Sequence, residues 1–160
     1  MLSKIFDWLK NRKITDSCIG KDVEIGEFCT VKHSSLGDRT RLLERISLKR
    51  VTVGQKCLIN SGTYIENADL GNDVLVAPNC SIVGVTHDFS KEGGVNHENV
   101  FKKILIGDGA WIGAGCVVMP GIIIGKGSIV GAGAVVNRDV PDFHVYVGTP
   151  SNYKLYLIKK

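Results

Sequence analysis

Ile106, Ile112, Val118, Ile124, Val130 and Val136 follow one another at an unbroken spacing of six, and a glycine stands directly after four of them, at Gly107, Gly113, Gly125 and Gly131. Four positions beyond each aliphatic come Ala110, Cys116, Ile122, Ser128, Ala134 and Val140, so this slot takes mostly small residues. The same phase runs upstream through Ile19-Gly20, Ile25-Gly26, Leu36-Gly37, Val53-Gly54, Ile59, Leu70-Gly71 and Val76. It slips near residues 31–52 and 65–70, which reads as loops or bulges. Such a unit has one buried aliphatic, one small inward residue, and a glycine able to take φ > 0 or lie against another backbone. It makes a short strand plus a turn. Three units close a triangular coil, and coils stacked at about 4.8 Å bury a continuous aliphatic column that no single repeat buries alone. The pattern predicts an all-β solenoid.

A doubly wound α/β fold would need apolar spacings of three and four held over about ten residues, and residues 104–140 contain no such stretch. The glycines form neither the dinucleotide-binding nor the phosphate-loop fingerprint. With 160 residues, 44% hydrophobic and 22% charged, the chain fits one ordinary domain. No apolar run approaches the roughly 20 residues that cross a bilayer, and no small-residue cleavage site follows an apolar N-terminal core, so the expected location is cytoplasmic. A net charge of +4, scattered along the chain, gives no argument for nucleic acid, and a mildly basic surface tolerates an anionic cofactor. The five cysteines form no C-x-x-C pair, which points to neither a disulfide framework nor a zinc site. Cys29, Cys57, Cys80 and Cys116 all fall in the small inward slot, as packing residues.

The repeat breaks from Gly84 to Lys103, a polar stretch with two adjacent glycines and no six-residue phase. Long insertions in solenoids gather on one face and are commonly functional. His87 stands at its start, where the rigid coil can fix its direction, and an imidazole there reads either as a base or as a solvated loop residue. His33, His97 and His144 read as structural or surface, and the histidine spacings suggest no metal site. Residues 1–14 place Leu2, Ile5, Phe6 and Leu9 on one helical face, predicting an amphipathic helix that caps the coil. The coil is expected over 15–141 with a functional loop at 84–103, and 142–160 closes the chain as a helix or tail.

The most specific stretches are Leu75-Val76-Ala77-Pro78-Asn79, Thr86-His87-Asp88, Ile106-Gly107-Asp108-Gly109-Ala110-Trp111-Ile112-Gly113-Ala114-Gly115, Val140-Pro141 and Gly148-Thr149-Pro150. In this order the chain resembles the left-handed parallel β-helix acyltransferases, particularly their sugar O-acetyltransferase branch. The resemblance implies the left-handed coil and a homotrimer with sites between subunits. It also implies acetyl-CoA as acyl donor, no metal, and His87 as general base. It places the donor at Gly113, Ala114, Gly131, Ala132 and Thr149, and the acceptor near Asp88 and Trp111. Glu66, at a register slip, is a further candidate for the acceptor. The family's closing motif carries a basic residue after Gly-x-Pro-Ala, whereas this chain reads Gly148-Thr149-Pro150-Ser151-Asn152, so Lys154 is the substitute expected to meet the coenzyme's phosphate.

The function expected is transfer of acetyl from acetyl-CoA to a hydroxyl of a sugar or sugar-bearing precursor. N-acetylation of an amino sugar and a non-catalytic structural subunit are the alternatives. A gamma-type carbonic anhydrase shares the coil but needs a close histidine pair that this sequence lacks.

Overall fold

The structure, a computed structural model, describes residues 11–90, 93–150 and 152–157. Parallel strands wind into a three-sided coil. The first side carries Lys13–Thr15, Thr30–Lys32 and their successors up to Val135–Val136. The second side runs from Cys18–Ile19 through Ser35–Leu36 to Ile123–Ile124. The third runs from Glu24–Ile25 through Trp111–Ile112 to His144–Val147. The repeat aliphatics line the interior in columns, such as Val31, Leu48, Ile65, Ile82, Val118 and Val136, all buried. Cys29, Cys57, Cys80 and Cys116 are buried in the small inward slot, so the cysteines serve packing as expected.

The repeat glycines resolve the choice the sequence left open. None of those directly following an aliphatic has positive φ. At Gly113 an added Cβ would lie 2.6 Å from the backbone nitrogen of Ala132 in the next coil, so glycine is needed for close approach. Positive φ falls two residues later, at Gly115 and Gly133, and at non-glycine residues in the equivalent N-terminal positions, such as Phe28, Arg45 and Asn79.

The register slips are neither loops nor bulges. Before the insertion each coil advances seventeen residues, with Lys13 opposite Thr30, Ser47 opposite Tyr64 and Tyr64 opposite Ser81. One corner is a residue short, from Val31 to Leu36, Leu48 to Val53 and Ile65 to Leu70. There the chain stays extended, as in Ser47–Val53 and Tyr64–Leu70, and turns on a single left-handed residue: Asp16, His33, Arg50 or Asn67. After the insertion the advance becomes eighteen, Trp111 to Ile129 and Val117 to Val135, and the last step shortens to sixteen, Ile129 to Val145.

The expected N-terminal helix lies outside the described residues for 1–10, and Lys13 and Ile14 already belong to the first strand. At the other end the described residues 142–150 and 152–157 fold back as extended chain, not as a helix. His144–Val147 adds one more strand to the third side, and Lys154–Leu157 pairs antiparallel with it. Tyr153 fixes this return by stacking on buried Tyr146 at 5.6 Å beneath the Arg138 guanidinium. No helix among the described residues is long and apolar enough to cross a membrane.

Candidate active site

The insertion leaves the coil at the five-residue corner. Gly84 takes the position stacked on Asn67: its amide donates to the Glu66 carbonyl at 2.8 Å, and Asn67 Nδ2 donates to its carbonyl at 2.8 Å. The chain returns beside it, with the Lys102 amide donating to the Gly84 carbonyl at 2.9 Å and the Gly121 amide to the Lys102 carbonyl at 2.9 Å. What the sequence suggests as a loop is therefore a hairpin, Val85–Ser90 against Gly94–Phe101, with an irregularity between His87 and Phe89. His87 lies opposite Asn99, exposed, with Nδ1 3.1 Å from the Glu98 carbonyl oxygen. A carbonyl can only accept, so Nδ1 carries the hydrogen and Nε2 of the neutral ring keeps its lone pair. That tautomer is the one a base needs. Asp88 sits further out, where it lines a ≈ 290 Å³ hollow with the hairpin tip.

Glu66 sits at the hairpin root and is buried. One oxygen takes Lys49 Nζ at 3.0 Å and the Arg50 guanidinium, and the other takes the Tyr64 hydroxyl. Burial pushes this carboxyl up, but Tyr64, Lys49 and Arg50 together outweigh it and hold it below the usual range. Burial, and then donation to Glu66, pushes the Tyr64 hydroxyl up to about 12. With its oxygens so engaged, Glu66 is placed as an anchor. It holds Arg50, whose guanidinium lies 4.6 Å over the ring of Phe101, the residue facing Val85 at the hairpin base. Sequence reasoning missed Arg50, Tyr64 and Phe101. The seventeen-residue step linking Arg50, Asn67 and Gly84 was the available signal.

The six expected donor residues gather at another corner, between the third and first sides. Gly113 and Gly131 stack in successive coils, their amides donating to the Val130 and Tyr146 carbonyls at 2.7 and 2.8 Å, and Ala114 and Ala132 face outward beside them. Thr149 follows in the next layer, and Lys154 lies opposite Val147 on the returning strand. Trp111, half-exposed, precedes this corner on the third side between Leu75 and Ile129. Within one chain, therefore, the donor corner and the His87 hairpin occupy opposite edges of the first side, roughly 15 Å apart at the rise of a strand. Exposed Val117 and Met119 lie between them, and Trp111 is on the side away from His87. Among the described residues no three His, Cys, Asp or Glu side chains are grouped to hold a metal.

Residues 103–138 match the family described as Bacterial transferase hexapeptide (six repeats). The chain is 39% identical over 94 residues to galactoside O-acetyltransferase of Lactococcus lactis subsp. lactis, covering 58% of this chain and 45% of that protein. It is 25% identical over 140 residues to the bifunctional protein GlmU of Acetivibrio thermocellus, covering 87% of this chain and 28% of that one. It thus spans less than half the length of these curated relatives. Among solved structures, a mutant of AntD, an N-acyltransferase from Bacillus cereus in complex with dTDP and coenzyme A, superposes with a TM-score of 0.81 at 22% identity, covering 99% of this chain and 88% of that one. A maltose O-acetyltransferase from Clostridium difficile gives 0.55 at 21% identity, with 99% and 75% covered. The six-residue period and the coil it builds make the chain a hexapeptide-repeat parallel β-helix, similar over residues 103–138 to the bacterial transferase hexapeptide family.

Proposed function

We propose that the chain is an acyltransferase that moves acetyl from acetyl-CoA to a hydroxyl of a sugar or sugar-bearing acceptor, by direct transfer with His87 as general base. The observation that carries this reading is the His87 tautomer set by the Glu98 carbonyl, which leaves Nε2 exposed and basic. A sugar hydroxyl is too weakly acidic to attack a thioester unaided, and an imidazole titrating near neutrality is suited to take its proton. Nε2 accepts that proton as the hydroxyl oxygen bonds to the thioester carbon. When the tetrahedral adduct collapses, the C–S bond breaks and the sulfur leaves with the proton held on Nε2. The adduct's oxyanion needs N–H donors, which backbone amides at a coil corner can supply.

The donor's pantetheine arm is placed along Gly113-Ala114 and Gly131-Ala132, where small side chains leave the backbone open, with Thr149 beside it and Lys154 toward the coenzyme's phosphate. The span between this corner and His87 supports a homotrimer in which one copy's hairpin reaches its neighbour's donor corner, covering apolar groups such as Val117 and Met119. Five free cysteines accord with a cytoplasmic, reducing setting. N-transfer to an amino sugar is the second reading, favoured by the likeness to AntD, which is described as an N-acyltransferase. The test is thiol release from acetyl-CoA with a panel of sugars and amino sugars. Turnover is expected to fall about 10²–10⁴-fold in His87→Ala. An alkali-labile product means O-transfer and an alkali-stable one N-transfer, while absence of turnover with every acceptor overturns the proposal.

A further inference from the structure

The buried cysteines do more than fill the small inward slot. Cys29 Sγ lies 2.9 Å from the Leu43 carbonyl oxygen, Cys57 Sγ 3.1 Å from that of Gly71, Cys80 Sγ 3.1 Å from that of Gly113 and Cys116 Sγ 3.1 Å from that of Gly131. Thr40 and Thr63 donate in the same way, to the Gly54 and Ala77 carbonyls at 2.8 and 3.3 Å. In each case an inward donor of one coil meets a corner carbonyl of the next. Cys80 Sγ is also 3.1 Å from the Ala77 carbonyl oxygen, which Thr63 already serves. A thiol is a weak donor, but taking it from a buried carbonyl costs more than the bond itself is worth.

Among the described residues no peptide bond is cis, so a carbonyl held inward turns the N–H that follows it outward. After Leu43, Gly54 and Gly71 that amide is used within the coil, donating to Ser61 Oγ at 3.3 Å, Asn72 Oδ1 at 2.9 Å and Asp108 Oδ1 at 2.7 Å. After Ala77 stands Pro78, which has no N–H. After Gly113 and Gly131 stand Ala114 and Ala132, both exposed, and neither amide donates to another group among the described residues. Two outward donors are thus left at this corner, one strand spacing or about 4.8 Å apart.

We propose that Cys80 and Cys116 are positioning residues of the donor corner, whose thiols turn the Gly113-Ala114 and Gly131-Ala132 peptide planes so that both amides face the carbonyl oxygens of the acyl donor. The proposal rests on the transfer reading above, in which this corner holds acetyl-CoA. The two thiols touch the donor nowhere and act from the core side of the same peptides. Cys80 is the stronger position, because the Gly131 carbonyl also takes the Ala134 amide at 3.2 Å. Cys57 makes the same bond at a corner whose following amide, that of Asn72, is already used, so it serves the fold alone.

The test compares Thr with Val at each position, two side chains of one shape that differ in the hydroxyl; Thr63, in the same column, shows that the slot accepts Thr. Acetyl-CoA is titrated calorimetrically into the full chain, wild type and variants, with thermal midpoints recorded alongside. Cys80→Val should bind about three- to tenfold more weakly than wild type, the worth of one hydrogen bond, and Cys116→Val should change in the same direction by less. Cys80→Thr and Cys116→Thr should stay within about twofold of wild type. Cys57→Val should lower the thermal midpoint as Cys80→Val does and keep wild-type affinity. Should Cys80→Val fail to fold, Cys80→Ser against Cys80→Ala makes the same comparison, since Ala134 occupies this column too. Thr and Val variants that bind alike, or a Cys57→Val that weakens binding as much as Cys80→Val, overturn the proposal and leave the transfer reading standing. A wild-type protein that binds no acetyl-CoA overturns both.

Discussion

Glu66→Gln keeps the shape of the anchor and removes its charge. The carboxylate is buried, so losing it resembles removal of one partner from a buried ion pair, which costs about 3–5 kcal/mol. Arg50 and Lys49 keep 35% and 42% of their side chains exposed, however, and water can solvate them once freed. The expected loss at pH 7 is therefore about 1–2 kcal/mol. The sign of its pH dependence follows from the lowered carboxyl. Its pairing stabilises the fold above the unfolded-chain value of about 4.3 and fades as pH falls through the lower folded value. The gap between wild type and Glu66→Gln should close in that acid window. Urea unfolding at pH 7 and about pH 3.5 measures it, with the midpoint shifting and the slope constant. Arg50→Lys separates the anchor from the brace. It keeps a cation on Glu66 but loses the planar stack on Phe101, so global stability should fall by only about 0.5–1 kcal/mol. Hydrogen exchange at Val85 and Thr86 should nevertheless rise several-fold. A Glu66→Gln variant as stable as wild type at pH 7, or exchange unchanged in Arg50→Lys, would refute this reasoning.

Gly113→Val should destabilise the coil by roughly 2–4 kcal/mol, because its Cβ meets the Ala132 backbone, and should abolish acetyl-CoA binding; Gly109→Ala, where nothing lies within 4 Å of an added Cβ, should leave binding intact, as calorimetry can check. Lys154→Ala should erase whatever preference the protein has for coenzyme A over dephospho-coenzyme A, measured by competitive binding; a large preference untouched by the substitution removes Lys154 from the phosphate. Lys56→Gly should raise stability by about 0.5–1 kcal/mol, since it relieves a left-handed φ of 55° at a position whose later counterparts are Gly109 and Gly127. Thermal unfolding will show the shift or its absence.

The coil was legible because burial inside a narrow solenoid imposes one demand per six residues, and Ile106 to Val136 meet it without interruption. The seventeen-residue advance was also written in the chain, as five-residue gaps at Val31–Leu36, Leu48–Val53 and Ile65–Leu70. A slip reads as irregularity until Asp16, His33, Arg50 and Asn67 are seen to stack on one corner. Gly113 and Gly131 could be paired in advance by their spacing, and their reason, close backbone approach, needed the next coil in place. The hairpin was harder. Its strands are exposed on both faces, so no alternation marks them. The anchoring contacts of Glu66 were hidden because its partners come from the preceding coil and from its own strand, and the period of six does not reveal them. The C-terminal strand was hidden by a similar cause: Lys154–Leu157 is fixed by Tyr146 and Arg138, which local pattern does not connect to it.

The most direct test of the account is calorimetric titration of acetyl-CoA into the intact protein and into His87→Ala. The account predicts saturable binding in both, because the donor is held along Gly113, Ala114, Gly131 and Ala132 while His87 serves the proton transfer. Absence of binding in both would contradict it.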